Sequence, residues 1–429
     1  MDYKLGETQA AVGISRKWDA REAGRDVARS TLQKLNSSPN FFLLFSTIHY
    51  EKYGGFEEFL NGVWDVLPQG TPLVGGTVPG FMNNYGCFTR GATGLAIASK
   101  NMDVSIGIGN NTKRSPKKAA KNFSEMINNK KQTNYSNKFL FVLISGSIVP
   151  SFPGMGMKRV IKTKIPSSVV SRMLKTSLQV SQKGVGREDI ILEEISKQMP
   201  DFSIIGGSSI DDNKMEKNYQ FFNDKVFTNS VVGLSLQTDS PILLDSQVAV
   251  KKTDKVFKAQ TAGEKYVINR INNKPATKTL FELLDWPESF MDERLHRRTF
   301  FYPILFEKEE EIFPEVIGVL AGNSIVCGFD IKSDDLFIGH SSRKILLNAI
   351  KNSVQNITKQ GKPDLGLVIY CSSFLEALGR DFFEVRRILM DAYDEAPFVL
   401  IAAGGEDFRI PDKIPKHCNE TINTAAFSF

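Results

Sequence analysis

Asn40–Thr47 reads NFFLLFST, and the pattern returns at Lys138–Ser145, KFLFVLIS, and at Asp364–Cys371, DLGLVIYC. Each run is continuously apolar, β-branched or aromatic, and too short for a capped helix, so each predicts a strand buried on both faces. Working outward, each run leads to a stretch with apolar residues near helical spacing. These are Gly55–Leu67 (Phe56, Phe59, Leu60, Val63), Glu188–Met199 (Ile191, Leu192, Ile195) and Phe382–Tyr393 (Val385, Ile388, Leu389). A second apolar strand then ends in a glycine pair: Gly75-Gly76, Gly206-Gly207 and Gly404-Gly405. Closing strands follow at Ala92–Ala98, Val231–Leu236 and Thr421–Phe427. One order of elements met three times predicts an internal repeat. The fold class that follows is α/β (α+β), with repeated β-α-β-β-β units and mixed sheets packed as a four-layer αββα sandwich.

Spacing exposes an insertion. From the first strand to the glycine pair the units take 35 residues (Asn40 to Gly75), 68 (Lys138 to Gly206) and 40 (Asp364 to Gly404). The excess of the second falls within 151–187, which holds eight basic residues and no acid, with an apolar helical face at Val169, Val170, Met173, Leu174 and Leu178. It reads as a solvated excursion, or alternatively as a mobile lid or docking arm. Between Pro241 and Pro363, strand-like runs and a helix at Ser342–Ile357 suggest a fourth, degenerate unit.

Bulk properties exclude several classes. Fifty-four basic and 48 acidic residues leave a net charge of +6, mild for 429 residues, with no basic stripe interleaved with aromatics, so no nucleic acid is expected. No apolar run is long enough for a transmembrane segment, and Met1–Ala10 lacks the pattern of a signal peptide. Four scattered cysteines without a CxxC pair predict free thiols in a cytoplasmic protein.

In these segments the chain resembles the FIST family, with its N-terminal and C-terminal modules. The resemblance runs through Ala11-Val-Gly-Ile-Ser-Arg16, Leu73-Val-Gly-Gly-Thr-Val-Pro-Gly80 and Asp201–Asp212 (DFSIIGGSSIDD). It continues at Tyr266–Leu280 and ends with Val368–Ser373, Gly379-Arg380 and Gly404-Gly-Glu406. Two positions depart from the family pattern: Phe374 stands where an Arg is usual, and Gly76 where a Cys is. The resemblance implies modules over 1–240 and 241–429. It also implies a cytosolic sensory protein that binds a small molecule, such as an amino acid, and signals through a protein partner.

The candidate ligand-binding residues cluster at strand ends. Glycine pairs there allow positive φ and close backbone approach, and polar groups follow them. The set is Gly75, Gly76 and Thr77; Gly206, Gly207, Ser208, Ser209 and Asp211; Cys371 and Arg380; Gly404, Gly405 and Glu406. Tight turns are the plainer role for the glycines, and an Arg380–Glu406 ion pair the plainer role for those two. Cys371 as the nucleophile of a thiol-dependent enzyme is an alternative, although no His is placed to activate it. His49 as an axial haem ligand in a gas sensor is another. His49, His296, His340 and His417 fit no metal-binding spacing. No Walker motif occurs, and Gly107-Ile-Gly109 and Gly154-Met-Gly156 lack the third glycine of a dinucleotide fingerprint. No catalytic residue, metal or cofactor is therefore assigned.

Overall fold

The computed structural model describes residues 8–129, 134–150, 159–161, 166–292 and 294–429. The first unit runs β1 (Gln9–Ser15), α1 (Ala20–Leu32), β2 (Phe41–Ser46), α2 (Phe56–Trp64), β3 (Leu73–Thr77), the hairpin β4 (Phe81–Asn83) and β5 (Gly86–Phe88), and β6 (Ala92–Ala98). The second runs β7 (Met102–Asn110), α3 (Pro116–Asn128), β8 (Asn137–Ser145), β9 (Val160–Ile161), α4 (Ser167–Val180), α5 (Glu188–Gln198) and β10 (Ser203–Ser209). It ends with the hairpin β11 (Gln220–Phe222) and β12 (Lys225–Phe227), then β13 (Ser230–Thr238).

The third unit opens with β14 (Ile242–Val248) and is interrupted by a lobe. The lobe comprises β15 (Lys251–Ala262), β16 (Glu264–Ile271), β17 (Lys274–Pro275), α6 (Ala276–Leu284), α7 (Leu295–Thr299), β18 (Ile304–Lys308), β19 (Glu311–Glu315), β20 (Ile317–Ala321), β21 (Ser324–Cys327) and β22 (Asp335–His340). The unit resumes with α8 (Arg343–Gln360), β23 (Leu365–Cys371), α9 (Ser373–Ala377), α10 (Phe382–Tyr393) and β24 (Phe398–Ala403). It closes with β25 (Glu406–Arg409), β26 (Lys416–Cys418) and β27 (Thr421–Phe427).

The apolar runs are strands buried on both faces, and their alternation shows why. Phe41, Leu43 and Phe45 of β2, Phe139, Phe141 and Leu143 of β8, and Leu365, Leu367 and Ile369 of β23 share one core. The intervening residues face helices: Phe42 and Leu44 pack with α1 and α2, Leu140, Val142 and Ile144 with α3 and α5, and Val368 and Tyr370 with α8 and α10. Helix-covered mixed sheets thus face one another across a common interior, and three of them share it.

The sheets are built by exchange. Their orders are β1-β6-β2-β3-β11-β12, β7-β13-β8-β10-β25-β26 and β14-β27-β23-β24-β4-β5. In each, two central strands are parallel, and the hairpin at one end comes from another unit. Phe221 lies opposite Gly75, Asp407 opposite Gly206, and Met82 opposite Leu400. The hairpins pass round the molecule: second unit to first sheet, third to second, first to third.

The region between Pro241 and Pro363 does not hold a fourth unit. After β14 the chain forms the lobe, which supplies eight strands of a nine-stranded sheet with its own apolar core, and α8 then belongs to the third unit. The insertion of the second unit joins this lobe. Its β9 pairs in parallel with β20, Val170 and Leu178 of α4 enter the lobe core, and Lys175 meets Glu264 at 3.6 Å. The described part of the insertion is therefore packed structure, because its apolar helical face finds a partner far off in sequence. Residues 151–158 and 162–165, with Gly154-Met-Gly156 and Lys158, Lys162 and Lys164, lie outside the described residues.

Candidate functional site

The glycine edges sit where the exchanged hairpins cross from unit to unit. None of the six paired glycines has positive φ, so the expected left-handed turns are absent at them. Gly75, Gly76, Gly206 and Gly207 are strand residues, Gly404 and Gly405 form the bend after β24, and what all six lack is room. A Cβ would lie 1.8 Å from the Leu44 oxygen at Gly75, 2.5 Å from the Tyr219 oxygen at Gly76, and 2.3 Å from the Val142 oxygen at Gly206. It would lie 2.7 Å from the Gly405 oxygen at Gly207, 2.6 Å from Ile210 Cγ2 at Gly404, and 2.6 Å from His417 Cε1 at Gly405. Only glycine lets the backbones approach so closely. The edges are then stitched together: Ser208 N–H donates to Gly405 O at 2.9 Å, Gly404 N–H to Ser208 O at 3.0 Å, Ile210 N–H to Thr77 O at 3.2 Å, and Ala402 N–H to Gly80 O at 3.0 Å.

Beside the junction of the second and third units is a cavity of about 90 Å³. Cys371, Ser372, Ser373 and Gly404 form one wall, and Glu188, Ile210 and Met215 another. The lobe supplies the roof with Phe300, Ile317, Val319 and Phe329, while His417 and Asn419 of the third unit's hairpin close the side.

Of the candidate residues, Cys371 and Gly404 line this cavity. Ser208 stands behind it, its Oγ donating to Glu188 Oε1 at 2.7 Å. Asp211 accepts from the N–H groups of Met215 and Glu216, both at 2.8 Å, and so shapes the loop that brings Met215 to the wall. Ser209 Oγ donates to Ile144 O at 3.2 Å inside the second sheet. Gly75, Gly76 and Thr77 belong to the first unit's edge and do not line the cavity, although Thr77 O accepts from the wall residue Ile210. Arg380 is exposed on the short turn Gly379–Asp381. Glu406 is fully buried, its Oε2 accepting from Thr421 N at 3.1 Å and Thr421 Oγ1 at 2.9 Å. His49 lies in the first unit, 2.7 Å from Thr47 Oγ1.

Three lining residues had no place among the candidates. Glu188 reads in sequence as an ordinary acid at a helix start. His417 and Asn419 sit on a hairpin whose neighbours come from another unit and from the lobe. Asn419 ties the lobe to the Gly404 edge: its N–H donates to Pro314 O at 3.0 Å, its Oδ1 accepts from Val316 N–H at 3.1 Å, and its Nδ2 donates to Gly404 O at 3.0 Å.

Electrostatics around the cavity are dominated by buried acids. His417 Nδ1 is 2.7 Å from Asp407 Oδ1. Burial alone would depress the imidazole, but Asp407, with Glu188 and Asp189 nearby, outweighs it and raises the pKa to about 9. Burial lifts Glu420 to about 8 and pushes Glu315 and Glu406 well above the carboxylate range. Burial, then Glu406 and Glu420, push the Cys371 thiol well above its ordinary value, which opposes thiolate formation. Among the described residues, no group of three or more His, Cys, Asp or Glu is arranged to hold a metal ion.

A three-sheet α/β body with a roofed cavity at one unit junction is the class of molecule this geometry defines. The FIST N domain matches residues 40–274, more than half of the chain, and the chain belongs to the FIST family, a family of sensory signal-transduction domains. No curated protein matches. Among solved structures, cyanuric acid hydrolase from A. caulinodans overlaps with a TM-score of 0.28 at 6% identity, covering 54% of this chain and 71% of that one. PurLQS from Thermotoga maritima overlaps at 0.19 and 11% identity, covering 98% and 72%. Overlaps this weak carry no argument about fold or function. No helix among the described residues is long and apolar enough to cross a membrane.

Proposed function

We propose that the protein is a cytoplasmic sensor that holds a small molecule in the cavity between its second and third units and reports occupancy to a protein partner through the lobe. The observation that carries this reading is Asn419, which ties the Gly404 edge to Pro314 and Val316 of the lobe beside the cavity. A ligand there touches both sides of that connection and biases how the lobe sits on the body. Both large insertions, one from each unit at the junction, converge on the same wall. A modular division at about residue 240 and descent of the three units from one repeat belong to the same reading. Cys371 serves as wall, since its surroundings disfavour thiolate.

A thermal-shift screen of metabolites tests it. At least one compound should raise the apparent Tm of the protein, and Val319→Trp, which fills the roof, should abolish that response while the variant stays folded. A stabiliser that acts equally on Val319→Trp removes the cavity from the function.

A further inference from the structure

We infer that the cavity's ligand is a small organic cation, a primary amine or guanidine with an apolar body, whose N–H donors are received by Glu188. This rests on the cavity being the ligand site, and it adds the chemistry of the ligand. Glu188 is the first residue of α5, only 3% exposed, and lines the cavity. Its Oε1 is taken by Ser208, while Oε2 is buried with no hydrogen-bond partner. Three further acids packed behind the walls share that state: Glu315 Oε2, Glu406 Oε1 and Asp407 Oδ2 are each buried without a partner.

Apart from the hydroxyls of Ser147, Ser372 and Ser373, the donors on the walls are committed elsewhere. His417 faces Asp407, the Asn419 amide faces Gly404, and Arg159 on the wall donates to the Asn213 carbonyl. Buried acceptors without donors are costly, and a carboxyl in apolar surroundings favours a cation that brings N–H groups. An anion would meet Glu188 on the wall, where the His417 imidazole is already paired with Asp407. A metal ion finds no suitable set of ligands among the described residues. Elsewhere on the walls, Ile148, Val185, Ile317, Val319 and Phe329 suit hydrocarbon. The volume of about 90 Å³ is that of roughly three waters in the liquid and below the ~150 Å³ that holds a benzene ring, hence a ligand of about five heavy atoms or fewer.

The test is a series of one shape and three charges, isobutylamine, isobutyramide and isobutyrate, titrated into wild type, Glu188→Gln and Val319→Trp by calorimetry and thermal shift. Glu188→Gln keeps an oxygen for Ser208 and removes the charge. The expected result is binding in the order amine, amide, carboxylate. Glu188→Gln should weaken the amine by at least about tenfold, and Val319→Trp should bind none of the three. Should Glu188→Gln fail to fold, the order in wild type decides alone. Preference for the amide or the carboxylate, lost in Val319→Trp, overturns the cation and leaves the cavity standing. If none binds, native mass spectrometry of freshly purified protein settles which part fails. A retained neutral or anionic molecule lost in Val319→Trp overturns the cation only, whereas the bare mass overturns cavity and cation together.

Discussion

His417 and Glu420 make the buried cluster a source of pH dependence. The folded pKa of His417 is raised from 6.5 to about 9, so its contribution is full below about 6.5 and is lost as pH rises through 9. Glu420 is raised from 4.5 to about 8 and is held neutral in the folded chain at low pH. Its contribution is likewise lost as pH rises. Both shifts have the same sign, so stability should fall between pH 5 and pH 9 by about 2 kcal/mol or more. Urea midpoints across that window measure it, and Glu420→Gln should flatten the slope. A wild-type midpoint that climbs with pH contradicts these assignments. Thiol reactivity follows from the same burial. Cys87 is half-buried, whereas Cys327, Cys371 and Cys418 are buried, so iodoacetamide should reach Cys87 first, and mass mapping will show it. Rapid labelling of native Cys371 would restore the nucleophile. Sequence could offer Cys371 and the glycines as candidates because strand ends are visible locally. It could not offer Glu188 with His417, which meet only after a hairpin from one unit has crossed to the sheet of another.

The exchanged hairpins decide what the elements can tolerate. Gly206 faces the Val142 carbonyl, and a methyl there would sit 2.3 Å from a backbone oxygen that cannot turn aside. Gly206→Ala should therefore cost about 2–3 kcal/mol in urea unfolding, in the range of an overpacked core. At Gly318 the nearest atom is 3.4 Å away, and Gly318→Ala should change little. Equal effects would mean that the close approach at Gly206 is not what demands glycine. The strands were legible because β2, β8 and β23 are apolar on both faces, which few local structures other than buried strands explain. The openings of the later units were less so. Strand β7, MDVSIGIGN, mixes polar and small residues, and β14 is parted from its unit by the lobe. No local pattern says that β4 pairs with β24 across more than 300 residues, and register across units is set by the assembled core.

At the scale of the whole molecule, the exchange binds the two halves into one folding unit. A fragment of residues 1–240 would leave Phe81–Phe88 without β24, and β10 without β25. Expressed alone it should show no cooperative thermal transition, and mixing it with 241–429 should restore one; a fragment that melts cooperatively by itself would show that the hairpins are dispensable. The lobe and cavity were the least legible part, since they are made by two insertions, 151–187 and Lys251–His340, that sequence keeps apart and tertiary packing places together. In the proposed function a small molecule in this cavity couples body to lobe. Hydrogen exchange of the full chain, with and without a compound that raises its Tm, tests that most directly. Slowed exchange is expected at both Gly404–Asn419 and Ile317–Phe329, with β1 and α1 unchanged. Protection confined to the first unit, or to one side of the cavity alone, would contradict it.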